Sequence, residues 1–162
     1  MNEKLRFAEA VCAGHPDRLA DAIAARIVKM ACERDDRALV GVEVALHRGV
    51  IFIDGRIAAG TADRCAVTEE EIADLARAAF RDAGYGAAFP PDPDALEVRF
   101  DLCLGPLEPE ERAARDVSDD QSIAVGYACC GARAGYRPLE QALATDFARV
   151  IECLRRERPE LG

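Results

Sequence analysis

The chain has 162 residues, half of them hydrophobic, with 30 acidic against 21 basic side chains and a formal charge of −9. That length suits one domain or two small interleaved ones, and the apolar fraction is enough for a real core. The acidic balance disfavours general binding to nucleic acid or an anionic membrane. No apolar run approaches bilayer-spanning length, and residues 1–7 are charged without the apolar run of a signal peptide, so a soluble, cytoplasmic protein is expected. The seven cysteines are odd in number and form no C-x-x-C, which indicates neither a disulfide framework nor a zinc knuckle. Most are expected to be reduced, part-buried small hydrophobes, with Cys129 and Cys130 on opposite faces of a strand.

In chain order, residues 3–11 read as a short strand that ends at Gly14. His15-Pro16-Asp17 then opens a helix over 16–33. Proline suits the first helical position and Asp17 suits the positive end of the helix dipole. Leu19, Ile23, Ile27 and Met30 recur at helical spacing. Residues 38–47 and 50–57 read as a β-hairpin about Arg48-Gly49, with His47 at the surface. Thr68 and Glu71 form a capping box ahead of a helix whose inward stripe is Ile72, Leu75, Ala76, Ala79 and Phe80, stopped by Gly84. A proline-rich link leads to a strand over 95–104. Residues 105–120 form a polar stretch that is either mobile or functional. A strand over 121–130 and a helix over 138–156 follow, the helix with Leu139, Leu143, Phe147, Val150, Ile151 and Leu154 inward. The order β-α-β-β-α-β, then strand and helix, favours an α+β fold of two-layer sheet-and-helix units. The division expected is 1–104, a linker or mobile loop at 105–120, and 121–162.

Two places stand out chemically. A glycine turn feeding a helix N-terminus leaves N–H groups directed at a common spot that attracts phosphate. His15 and Asp17 flank that spot; an imidazole can donate to a phosphate oxygen and a carboxylate can hold the magnesium that accompanies it. Glu43 sits in VGVEVAL, an apolar run in which a carboxylate is costly unless it faces solvent or meets a partner or cation.

The string EAVCAGHPDRLAD at residues 9–21 resembles the opening signature of S-adenosylmethionine synthetases, and SDDQSIAVGYA at residues 118–128 is similar to their GDQG-x-x-x-GYA motif. The resemblance implies that family's α+β fold and its reaction, in which methionine sulfur attacks C5′ of ATP to give S-adenosylmethionine, phosphate and diphosphate. It implies catalytic His15 stabilising the leaving phosphates, Asp17 on Mg2+, Glu43 on K+, and Glu9, Asp120 and Gln121 at the substrate. It also implies a mobile gating loop at 105–118 and active sites shared between subunits. The likeness covers most of this chain but less than half of a usual family member. The later lysines, the arginine and the glycine-rich phosphate loop have no counterpart here. Arg56 stands where the family has the glutamate that recognises methionine, Arg18 replaces the GHPDK lysine, and Asp119 and Ser122 replace two glycines. A half-site completed by a complementary chain, or by a further copy of this one, is therefore expected; the alternative is a non-catalytic, nucleotide-binding or regulatory relative.

Overall fold

The computed structural model describes residues 5–61, 64–114, 123–130, 135–158 and 160. They group into two compact units, one of Pro16–Gln121 and one of Met1–His15 with Ser122–Gly162.

The larger unit is built on a three-stranded sheet. Helix α1 (Pro16–Arg34) precedes the hairpin β1 (Leu39–His47) and β2 (Val50–Ala58). A short pair, β3 (Gly60–Thr61) and β4 (Arg64–Cys65), leads to α2 (Glu69–Asp82). A 3-10 turn (Pro93–Ala95), β5 (Glu97–Gly105) and α3 (Pro109–Ala114) complete it. The sheet order is β1-β2-β5. β1 pairs antiparallel with β2 through Arg48-Gly49, whereas β5 lies parallel to β2. A parallel neighbour needs a long crossover, and β3, β4 and α2 supply it.

Alternation along β2 sets the layers. Ile51, Ile53 and Ile57 are fully buried, while Phe52 is exposed. Leu19, Ile23, Ile27 and Ala31, spaced four apart on α1, are buried in the same core. From α2 come Ile72, Ala73, Ala76, Ala79 and Phe80; Leu75 is only half-buried. Each fully buried isoleucine contributes about 1.5–3 kcal/mol relative to exposure, so this α+β unit holds an aliphatic core of its own.

Local signals fix the ends of α2. Thr68 Oγ1 accepts from Glu71 N (3.3 Å) and Glu71 Oε2 accepts from Thr68 N (3.0 Å), completing the capping box. At the other end, Gly84 (φ +96°) donates to Arg81 O and Tyr85 N donates to Phe80 O. The Phe80 and Tyr85 rings, 5.2 Å apart, close this Schellman motif with an apolar contact. Arg34, at the end of α1, forks onto both oxygens of Glu71 at 2.7 and 2.8 Å. Those hydrogen bonds, then the ones from Thr68, hold the Glu71 carboxyl down at about 2.

The smaller unit differs from expectation. Residues 5–11 and 123–129 carry no regular structure, so the strands expected over 3–11 and 121–130 are absent among the described residues. A strand needs a ladder partner, and these backbones bond elsewhere. Glu9 O accepts from Gln141 Nε2 (3.2 Å), Ala13 N donates to Glu152 Oε1 (2.8 Å), and Cys129 N donates to Tyr136 O (2.8 Å). Helix α4 (Leu139–Glu157) forms where periodicity placed it but faces the other way. Its polar face, through Gln141 and Glu152, holds residues 9–13. Leu139, Leu143, Phe147, Val150, Ile151 and Leu154, expected inward, are 46–67 % exposed. Ala142 is the one buried residue of this unit among those described. The cysteines also depart from expectation: Cys32, Cys103, Cys130 and Cys153 are exposed. No described helix is long and apolar enough to cross a membrane.

Gly55 has φ +118°, and a Cβ there would lie 2.1 Å from Gly41 O on β1. Gly55→Ala is expected to cost at least about 2 kcal/mol. It should appear as a lower urea midpoint at unchanged slope.

Candidate functional site

The start of α1 has the architecture read from the sequence. Residues 13–14 form a turn in which His15 N donates to Cys12 O at 3.0 Å, and Pro16 begins the helix with Asp17 in its first turn. His15, Asp17 and Arg18 are all exposed. A helix N-terminus of this kind presents backbone N–H groups and the positive end of a dipole to an anion. Glu9 is exposed as well, with its carbonyl tied to α4. Glu9 and His15 belong to the smaller unit, Asp17 and Glu43 to the larger. Asp120 and Gln121 lie outside the described residues. A cavity of about 330 Å³ in the smaller unit borders Leu5, Phe7, Tyr127 and Pro138 and none of these site residues.

Glu43 faces solvent, so its place in an apolar run reflects a one-sided strand and not a buried charge. Its neighbours are informative. Asp54 on β2 is its register partner, and Asp101 on β5 is the partner of Asp54. Three carboxylates therefore stand abreast on the outer face of the sheet. Like charges directly opposite are mutually destabilising. Among the described residues no group of three His, Cys, Asp or Glu side chains converges closely enough to hold a metal ion.

Arg56 is the residue whose role the sequence hid. Its guanidinium forks onto Glu111 of α3, Nε to Oε1 at 2.8 Å and Nη2 to Oε2 at 3.0 Å. Nη2 also donates to Pro106 O (2.8 Å) and Nη1 to Cys103 O (3.2 Å). Both side chains are about three-quarters buried. The hydrogen bond from Arg56, then that from Glu108 N, keeps the Glu111 carboxyl below the usual range. The same fork raises Arg56. Arg56 is thus neutralised within its own chain, and it fastens the first turn after β5 to the sheet. Glu111 lies 55 positions away in sequence, in a stretch expected to be loop, so no local pattern announced it.

The family description "S-adenosylmethionine synthetase, N-terminal domain" matches residues 3–99. The S-adenosylmethionine synthase of Sulfurovum sp. is 30 % identical over 162 residues, covering 96 % of this chain and 39 % of that protein. Those of Thermosynechococcus vestitus and Salinispora arenicola are 29 % and 28 % identical, covering 91 % and 97 % of this chain and 38 % and 41 % of theirs. In fold, an S-adenosylmethionine synthetase from Campylobacter jejuni superposes with a TM-score of 0.74 at 24 % identity, over 92 % of this chain and 37 % of that one. The chain belongs to the S-adenosylmethionine synthetase family. It spans about two-fifths of the length of the curated relatives it matches.

Three substitutions probe these carboxylates through stability. Asp54→Asn relieves the carboxylate row and is expected to stabilise by about 0.2–1 kcal/mol in urea denaturation. Glu111 and Glu71 both have lowered folded values, so their stabilisation is full above the unfolded carboxylate range and is lost as pH falls through the folded values. Between pH of about 4.5 and 2, Glu71→Gln is expected to flatten the acid limb of stability against pH. Glu111→Gln is expected to cost about 1–2 kcal/mol at neutral pH by leaving the largely buried Arg56 short of its partner.

Proposed function

We propose that this chain is a small or split S-adenosylmethionine synthetase subunit that contributes half of an ATP and methionine site and needs a complementary chain for activity. The observation that carries this reading is the GHPD sequence at the mouth of α1, inside the segment that matches the family's N-terminal domain. His15 is assigned to the phosphates that leave from C5′, as a hydrogen-bond donor where charge accumulates. Glu9, Asp120 and Gln121 are assigned to the substrate.

Asp17 is assigned to Mg2+, an ion that keeps several waters and takes one or two carboxylates beside substrate phosphates; a single exposed first-turn carboxylate fits that chemistry. Glu43 is assigned to K+, and the negative field of Asp54 and Asp101 beside it favours a cation there. Residues 105–120 are assigned to a gating segment, 1–104 to the synthetase-like domain and 121–162 to the family's next domain. A cytoplasmic location fits a consumer of ATP.

The second reading, a non-catalytic nucleotide-binding or regulatory relative, is favoured by one observation. Arg56, at the place of the methionine-recognising glutamate, is locked onto Glu111 and offers no acceptor to an ammonium.

Calorimetric titration with ATP and magnesium, alone and with candidate partner chains, separates the readings. ATP binding with His15→Ala weakened about tenfold, a loss of roughly 1.4 kcal/mol, and with Asp17→Asn blunting the magnesium dependence, supports a nucleotide site. S-adenosylmethionine formation once a partner is present establishes the first reading; ATP binding without methionine binding establishes the second. No ATP-dependent rise in melting temperature under any of these conditions would remove both.

A further inference from the structure

The smaller unit contains a cavity of about 330 Å³ that the site described above does not use. Leu5, Phe7, Tyr127 and Pro138 give it apolar walls, and Arg6 and Glu140 are the charged groups of its lining. Mostly apolar walls with a few polar groups to fix orientation, at this size, suit a small organic molecule.

Glu140 says what kind. Its side chain is only 28 % exposed, yet among the described residues its carboxylate accepts no hydrogen bond. A carboxylate so far withdrawn from water is costly without donors. Its ion partner there is Arg6, at 3.9 Å and beyond hydrogen-bond reach, with a side chain that is 75 % exposed. The pair is loose. A simple anion would gain Arg6 but meet the carboxylate; a simple cation would gain Glu140 but meet the guanidinium. A molecule carrying both charges side by side turns one loose contact into two close ones. An α-amino acid holds its ammonium and carboxylate in that way. Glu140 also stands in the first turn of α4, where Pro138 supplies no side-chain cap, so the helix dipole adds to Arg6 in favouring a carboxylate nearby.

The walls select the side chain. Phe7 and Tyr127 are exposed and present two aromatic rings to whatever enters. Aromatic pairs gain beyond the area they bury, so a flat aromatic body is preferred to an aliphatic one.

We propose that this cavity binds an aromatic α-amino acid as its zwitterion, with the ammonium on Glu140, the carboxylate on Arg6 and the ring against Phe7 and Tyr127. None of these residues is assigned to the nucleotide, so the proposal does not rest on the reading above.

Amide NMR of the full chain titrated with L-phenylalanine tests this. The expected result is saturable shifts at residues 5–7, 127–129 and 138–140, with a dissociation constant on the order of 1 mM. Phenylalanine amide, which lacks the carboxylate, and N-acetylphenylalanine, which lacks the ammonium, are expected to bind about tenfold more weakly or worse. L-Leucine, with the same charges and no ring, is expected to bind severalfold more weakly. Glu140→Gln is expected to weaken phenylalanine about tenfold without weakening N-acetylphenylalanine, a split that mere loosening of α4 would not give. No saturable shift at these residues up to about 20 mM overturns the proposal. So does equal binding of phenylalanine and its two blocked forms, equal binding of leucine, or affinity indifferent to Glu140→Gln.

Discussion

Everything in this molecule turns on where apolar surface is closed off. The larger unit closes its own: β2 supplies three isoleucines, α1 and α2 lie across them, and the caps and the Arg34–Glu71 fork fix the helix ends. The smaller unit does not. Its one buried residue among those described is Ala142, and its longest helix shows an oily face outward. A helix of about five turns in water gains most of its stability from tertiary cover rather than propensity, so the smaller unit is incomplete by itself in a way that the larger is not.

The division also falls at the helix mouth: Asp17, in the first turn of α1, belongs to the unit with the core, and His15 to the unit without one. In the same spirit, Arg56 serves the fold before it serves any substrate. By fastening Glu111 it sets the first turn after β5, at the head of the stretch assigned to gating.

What was legible in the sequence was whatever is written locally. α1 and the hairpin followed from periodicity and a turn, and α2 from its capping box and Gly84. The helix mouth at GHPD, and with it the family, was equally local, because the residues that define it are contiguous. Long-range pairing was not legible. The parallel register of β2 with β5 and the Arg56–Glu111 fork join residues tens of positions apart. Residues 5–11 and 123–129, which carry no strand among the described residues, show that β-like composition does not make a strand without a neighbour to bond. α4 shows that a 3.6-residue period specifies a helix and its apolar face but not whether its own chain covers that face. Glu43 looked anomalous because its neighbours are apolar; the strand simply alternates, and its chemical interest lies in Asp54 and Asp101, which only the register reveals.

Native-state hydrogen exchange on the full chain at sub-micromolar concentration tests this division most directly. Amides of β2 and of the buried face of α1 are expected to exchange only through global unfolding, while those of α4 open at a distinctly lower free energy. If α4 and β2 instead exchange with one common free energy at that dilution, the two units share a single cooperative core and the division drawn here is wrong.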